Sequence, residues 1–225
     1  TFDGNDVAID AGAVGSGAGV TLFDIYNNAS LVNQGNHTIN LFSSSAGKLR
    51  GRVANNTMSG SPLGIRAVVD GTSQAAIEIS GNTISTSTGG AVAVSTRGTT
   101  TALCLDLASN SASGPDADYT LVNASSAGTY VVEGSGTAAV TAAAIEGRNT
   151  AGTASVSGTI TFNDGASCVS SPVTMLPTSA ESLAANLPAM DVCPTAAPDK
   201  QPLLRATDVD PELSTGRSKW LPVTE

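Results

Sequence analysis

The chain has 225 residues, 24 of them glycine, with 40% hydrophobic, 13% charged and 4% aromatic residues, and its net charge is −9. The hydrophobic share argues against a disordered chain, and the scarcity of aromatics requires a core built in thin layers from Val, Ile, Leu and Ala. The acidic balance argues against nucleic acid as a partner, because phosphates would be repelled over most of such a surface.

The amino end, "TFDGNDVAIDAG", has no basic stretch followed by an apolar run, so any signal peptide is already absent. The lack of an obvious cap before the first repeat suggests that further chain precedes Thr1. Asp3, Asn5, Asp6 and Asp10 resemble one degenerate copy of a calcium-binding β-roll repeat, whose ligands are hard oxygens, but solvated acids are the ordinary reading. No metal or other cofactor is expected. No stretch approaches the roughly 18–20 apolar residues of a membrane helix, so no membrane span is expected.

A motif then recurs: "DIYNNAS" at 24–30, "RVANNTM" at 52–58, "IEISGNTI" at 77–84 and "DLASNSA" at 106–112. Its last Asn is Asn28, Asn56, Asn82 and Asn110, at spacings of 28, 26 and 28 residues. A period of this length marks a solenoid, propeller or array. Positions three, five and seven before each anchor are Ile25, Phe23, Thr21; Val53, Gly51, Leu49; Ile79, Ile77, Ala75; and Leu107, Leu105, Leu103. Such alternation predicts a strand with one buried face. The intervening Asp24, Arg52, Glu78 and Asp106 predict that the other face is wet.

A second extended run follows each anchor: "HTINLF" (37–42), "IRAVVD" (65–70), "AVAVST" (91–96) and "YTLVNA" (119–124). Each repeat therefore carries at least two strands and no sustained helical period, which disfavours helical solenoids. His37 is the sole histidine, and no GxSxG elbow accompanies it, so no catalytic set is expected and the chain reads as a non-enzyme. Beyond 124 the period weakens. "GTYVVEGSG" (128–136) and "TASVSGTITF" (153–162) still read as strands, and the Ala-rich 137–150 between them reads as a short helix or another coil.

The four motifs resemble the corner turns of right-handed parallel β-helix repeat proteins of bacterial secreted or cell-surface type. The likeness extends well over 20–124 and loosely over 1–165. It implies an all-β fold of stacked coils of about 26–28 residues occupying 1–170, with Asn28, Asn56, Asn82 and Asn110 forming a buried hydrogen-bonded ladder. Independent surface turns that use Asn locally are the competing reading. In a coil stack, Asp24, Arg52, Glu78 and Asp106 become neighbours about 4.8 Å apart on one outer sheet. Such a column reads as a stabilising charge ladder before it reads as the acid-and-Arg set of β-helix lyases and hydrolases.

Cys104 falls on the outward face, so a disulfide to Cys168 would staple the following segment onto the fourth coil; separate reduced thiols remain the alternative. After Ser171 the character changes. Eight of the ten prolines lie between Pro172 and Pro222, which excludes further ladder strands, while Leu176, Leu183, Leu187, Met190, Leu203, Leu204 and Trp220 make the segment too apolar for a free linker. Residues 171–225 therefore read as an extended arm packed on this solenoid or on a neighbouring subunit.

Three function classes follow. The first is a secreted or cell-surface structural or adhesive module, self-associating into oligomers or filaments through end-to-end stacking and the arm. The second is a carbohydrate-binding or carbohydrate-cleaving β-helix using Asp24, Arg52, Glu78 and Asp106 on a surface polysaccharide. The third, an ice-binding array, would need a flat Thr row, and Ala29 and Ser111 interrupt the one begun by Thr57 and Thr83. The first fits the low charge density and the absence of a catalytic set.

Overall fold

A computed structural model describes residues 2–15 and 19–168. The arm expected at 171–225 lies outside the described residues. The described residues wind as a parallel β-helix of six coils, each contributing to up to three sheets in which every named strand pair is parallel.

Sheet I stacks the short strands β1 (Phe2–Asp3), β4 (Leu31–Val32), β7 (Thr57–Ser59), β10 (Thr83–Ser85) and β13 (Ser111–Ser113). Sheet II stacks β2 (Val7–Gly15), β5 (His37–Ser45), β8 (Leu63–Val69), β11 (Val92–Thr96), β14 (Tyr119–Asn123) and β16 (Ala154–Ser157). Sheet III stacks β3 (Thr21–Tyr26), β6 (Lys48–Ala54), β9 (Gln74–Ser80), β12 (Ala102–Ala108), β15 (Thr129–Val132) and β17 (Thr161–Phe162). The alternating half of each extended motif is thus sheet III, and the second run is sheet II.

Because the coils as far as β15 have nearly the same length, side chains of one type stack into columns along the axis. Sheet II contributes Ile9, Ile39, Ile65, Val92 and Tyr119 in one register, and sheet I contributes Leu31, Met58, Ile84 and Ala112. Sheet III contributes Ile25, Val53, Ile79 and Leu107, all buried. A second sheet III column runs Phe23, Gly51, Ile77, Leu105 and Val132. Gly51 belongs there because the Phe23 ring lies against it: an added Cβ would stand 2.7 Å from Phe23 Cγ and 2.0 Å from its carbonyl oxygen.

The first coil departs from the expected burial. Thr21, read as inward, is exposed and Phe23 only half-buried, since this coil has a neighbour on one side alone among the described residues. The face read as wet is also drier than expected: Asp24, Arg52, Glu78 and Asp106 are all half-buried, because side chains one coil apart shield one another.

The helix α1 (Ala142–Arg148) resolves the Ala-rich stretch. Thr141 caps it, its hydroxyl accepting a hydrogen bond from the Ala144 amide, and Ile145 is its buried contact with the core. It enters the chain ahead of the sixth coil, where sheet I is reduced to a single bridge between Ala151 and Ser111.

Candidate functional site

The corner between sheets III and I is the most highly connected polar feature. Each anchor Asn donates from Nδ2 to the Oδ1 of the equivalent residue in the next coil: Asn28 to Asn56 at 2.8 Å, Asn56 to Asn82 at 3.0 Å and Asn82 to Asn110 at 2.9 Å. The same Oδ1 atoms accept the backbone N–H of the preceding anchor at 2.9–3.0 Å. A second Nδ2 proton turns back to a carbonyl one coil earlier: Asn56 to Ile25, Asn82 to Val53 and Asn110 to Ile79, each at 2.9 Å. A primary amide suits this corner because it supplies two donors and a two-lone-pair acceptor on one short stem. Asn56, Asn82 and Asn110 are buried, and Asn28 in the first described coil is half-buried.

The ladder has a fifth rung that the repeat spacing hides. Asn149, 39 residues after Asn110, accepts the Asn110 Nδ2 and backbone N–H at 3.0 Å each. Its Asn-Thr dipeptide matches Asn56-Thr57 and Asn82-Thr83, but α1 lengthens the preceding corner and breaks the period. The left-handed backbone that turns the corner also sits one residue earlier than the anchor: Asn27, Asn55, Gly81 and Ser109 have φ of 56°, 55°, 64° and 60°. The anchor therefore supplies hydrogen bonds, and its predecessor supplies the turn.

The charged column on sheet III is divided into separate pairs. Arg52 grips Asp24 with two bonds, Nε to Oδ1 at 2.8 Å and Nη2 to Oδ2 at 3.1 Å, and its guanidinium lies 4.5 Å from the centroid of the Tyr26 ring. The hydrogen bond to Asp24 raises the Arg52 pKa above its ordinary value against the opposing cost of burial. Glu78 stands opposite Arg52 in register but accepts instead from the Ser80 hydroxyl at 2.6 Å. Asp106 pairs with Arg148 of α1 at 2.8 Å, a partner no periodic reading finds. Burial, then the nearby Glu133, pushes the Asp106 carboxyl above the usual carboxylate range, while Arg148 opposes them. Asp24, Arg52, Glu78 and Asp106 thus share a face, with Arg52 engaged by Asp24 and Asp106 engaged by Arg148 of α1.

Cys104 and Cys168 form a disulfide across 64 residues, with Cα atoms 5.2 Å apart. Asn163 Nδ2 stands 3.6 Å from both sulfurs, and the Cys168 amide donates to Glu133 Oε2 at 2.9 Å. The acids of the first coil serve cross-coil bonds: Asp3 accepts from Asn33 at 3.1 Å and Asp10 from Asn40 at 2.9 Å, while Arg66 donates to Asn40 Oδ1 at 2.8 Å. No group of three His, Cys, Asp or Glu side chains converges to hold a metal ion among the described residues. No helix among them is long and apolar enough to cross a membrane.

His37 begins β5 with a buried Nδ1 that has no hydrogen-bond partner. Burial first, then the charge of Arg66, lowers its pKa below 6.5, outweighing a backbone hydrogen bond at Asn36 and the charges of Asp6 and Asp10. The unfolded state then binds more protons between that lowered value and 6.5, so stability is lost as pH falls through this window. His37→Gln is expected to flatten the denaturation midpoint there, and the single imidazole resonance should titrate below 6.5.

A scan of protein-family models and searches of curated proteins and of solved structures found no match to this chain, so its function is argued from the geometry above.

Proposed function

We propose that the chain is a non-catalytic structural or adhesive module of the extracellular or cell-surface space, a rigid β-helix that self-associates end to end. The observation that carries this reading is the first coil. Among the described residues, β2 pairs only with β5 and β3 only with β6, so the nine- and six-residue strands each have one edge that no described residue covers. Open edges of that length recruit further strands unless they are blunted. Val14, 69% exposed, lies on this coil, and no lysine or proline lies within either strand.

Two features support the setting. The Cys104–Cys168 disulfide suits an oxidising compartment. The ladder gives each coil the same corner chemistry as the next, so another copy stacked on the open end would meet Asn28 as its first rung. Polysaccharide binding on the charged sheet III face is less well supported, because Arg52 and Arg148 are taken by Asp24 and Asp106.

Negative-stain electron microscopy of the full chain across a concentration series tests the reading. The six described coils span about 29 Å at roughly 4.8 Å per coil, and the full chain's rods should lengthen in whole multiples of the single-particle length as concentration rises. Val14→Lys combined with Thr21→Lys places like charges at the open end and should return the population to single rods. Single rods at every concentration of the unmutated chain would sink the self-association reading.

A further inference from the structure

We propose that the outer face of sheet III is the docking groove for this chain's own segment immediately after Cys168, running back along the axis toward the first coil. The groove has a volume of about 390 Å³, and its lining includes Val20, Arg50, Gln74, Ala76, Cys104 and Val131. It follows one register: Leu22, Arg50, Ala76, Cys104 and Val131 stack in successive coils. Ala76 is the small floor of that column, and at its first-coil end Val20 and Leu22 stand 47% and 43% exposed.

The disulfide sets both the entry point and the direction. Thr161 of β17 pairs with Val131 of β15 in the outermost coil of sheet III. Seven residues later, Cys168 is bonded to Cys104 of β12, two coils back along the stack. The chain has therefore already reversed along the axis and lies on the groove when it reaches Cys168. Continuing the same way, it meets Ala76, then Arg50, then Leu22. From Cys104 to Leu22 is three coils, or about 14 Å. Eight residues, the length of the following "VSSPVTML", can reach up to about 25 Å at the roughly 3.1 Å per residue of an extended chain, which is ample.

The composition of this segment suits a sheet face and not a sheet edge. An edge demands a row of N–H donors, which Pro172 removes, whereas the backbone groups of a sheet face are already paired within the sheet. What a face requires is apolar side chains, and Val169, Val173, Met175 and Leu176 provide them. Burying Val20 and Leu22 beneath them removes apolar surface from water on both partners.

Thiol labelling of the full chain tests the proposal. Gln74→Cys, in a Cys193→Ser background, places a reporter at an exposed groove position, and Thr83→Cys places a control on exposed sheet I. Maleimide should modify the Gln74→Cys thiol about tenfold more slowly than the control, at a rate independent of protein concentration. Adding Val173→Asp with Leu176→Asp should bring the two rates together. Equal rates in the unmutated segment, or protection that survives the two aspartates, would overturn the proposal. Protection lost on dilution would overturn it in favour of a neighbouring copy's segment. These readouts do not depend on rod length, so the docking and end-to-end readings fail separately.

Discussion

Asn82→Ala should lower the free energy of unfolding by about 4 kcal/mol, among the largest effects available from a single polar side chain here. Asn82 is the central rung, 1% exposed, and its amide makes five hydrogen bonds. Truncation leaves the Asn56 backbone N–H and the Val53 carbonyl buried without these partners, each costing roughly 1–3 kcal/mol, and opens a small cavity besides. Asn36→Ala is the control, since that side chain is exposed and its backbone N–H, not its amide, bonds Asp6. Its free energy of unfolding from urea titration should move by less than about 0.5 kcal/mol.

Asn82→Asp separates donor from acceptor. The remaining oxygen can still accept from Asn56, but the new one faces the Val53 and Ser80 carbonyls and Asn110 Oδ1, where Nδ2 had donated. Three acceptors around a carboxylate raise its folded pKa above the unfolded value, so stability should fall as pH rises through the ordinary carboxylate range toward that raised value. At neutral pH this variant should be no more stable than Asn82→Ala. A variant as stable as the parent would mean that the amide donors contribute nothing.

Reducing the Cys104–Cys168 bond should cost about 4 kcal/mol on loop-entropy grounds, given the 64-residue separation. Cys104→Ser with Cys168→Ser should reproduce the reduced protein. Opening also loosens residues 163–168, since Cys168 is 5% exposed and its amide is tied to Glu133. Paired urea titrations, oxidised and reduced, measure the cost. Coincident transitions, together with alkylation of both thiols in unreduced protein, would contradict the bond.

The parts of the fold visible in sequence are those where one coil repeats the next. Constant spacing exposed Asn28, Asn56, Asn82 and Asn110, and period-two alternation exposed the inward columns of sheet III, because stacking in register demands the same residue class at the same phase. The sheet I strands escaped this reading: at two or three residues each, β4, β7, β10 and β13 are too short to show alternation. Asn149 escaped because α1 shifts its phase, although its chemistry repeats that of Asn110. The interrupted Thr row is likewise a matter of register. Thr57, Thr83 and Ser111 do form one column, but Leu31, and not Ser30, pairs with Met58, so the first coil carries one extra residue after its anchor.

Charge pairing was legible only between neighbours. Asp24 and Arg52 sit one coil apart at matching phase, whereas Arg148 reaches Asp106 from a helix with no place in the repeat. Adjacency in a column also fails to specify the bond made, as Glu78 turns to Ser80 while Arg52 turns to Asp24. Burial at the first coil could not be read from pattern either, because alternation reports which way a side chain faces and not whether a neighbour covers it.

Side-chain amide hydrogen exchange, resolved by NMR, tests the stacked ladder most directly. The Nδ2 protons of Asn56, Asn82 and Asn110 donate inside the stack and should exchange orders of magnitude more slowly than those of exposed Asn36. Uniformly fast exchange across all of these asparagines is what independent surface turns would give, and it would contradict the coil stack on which the rest depends.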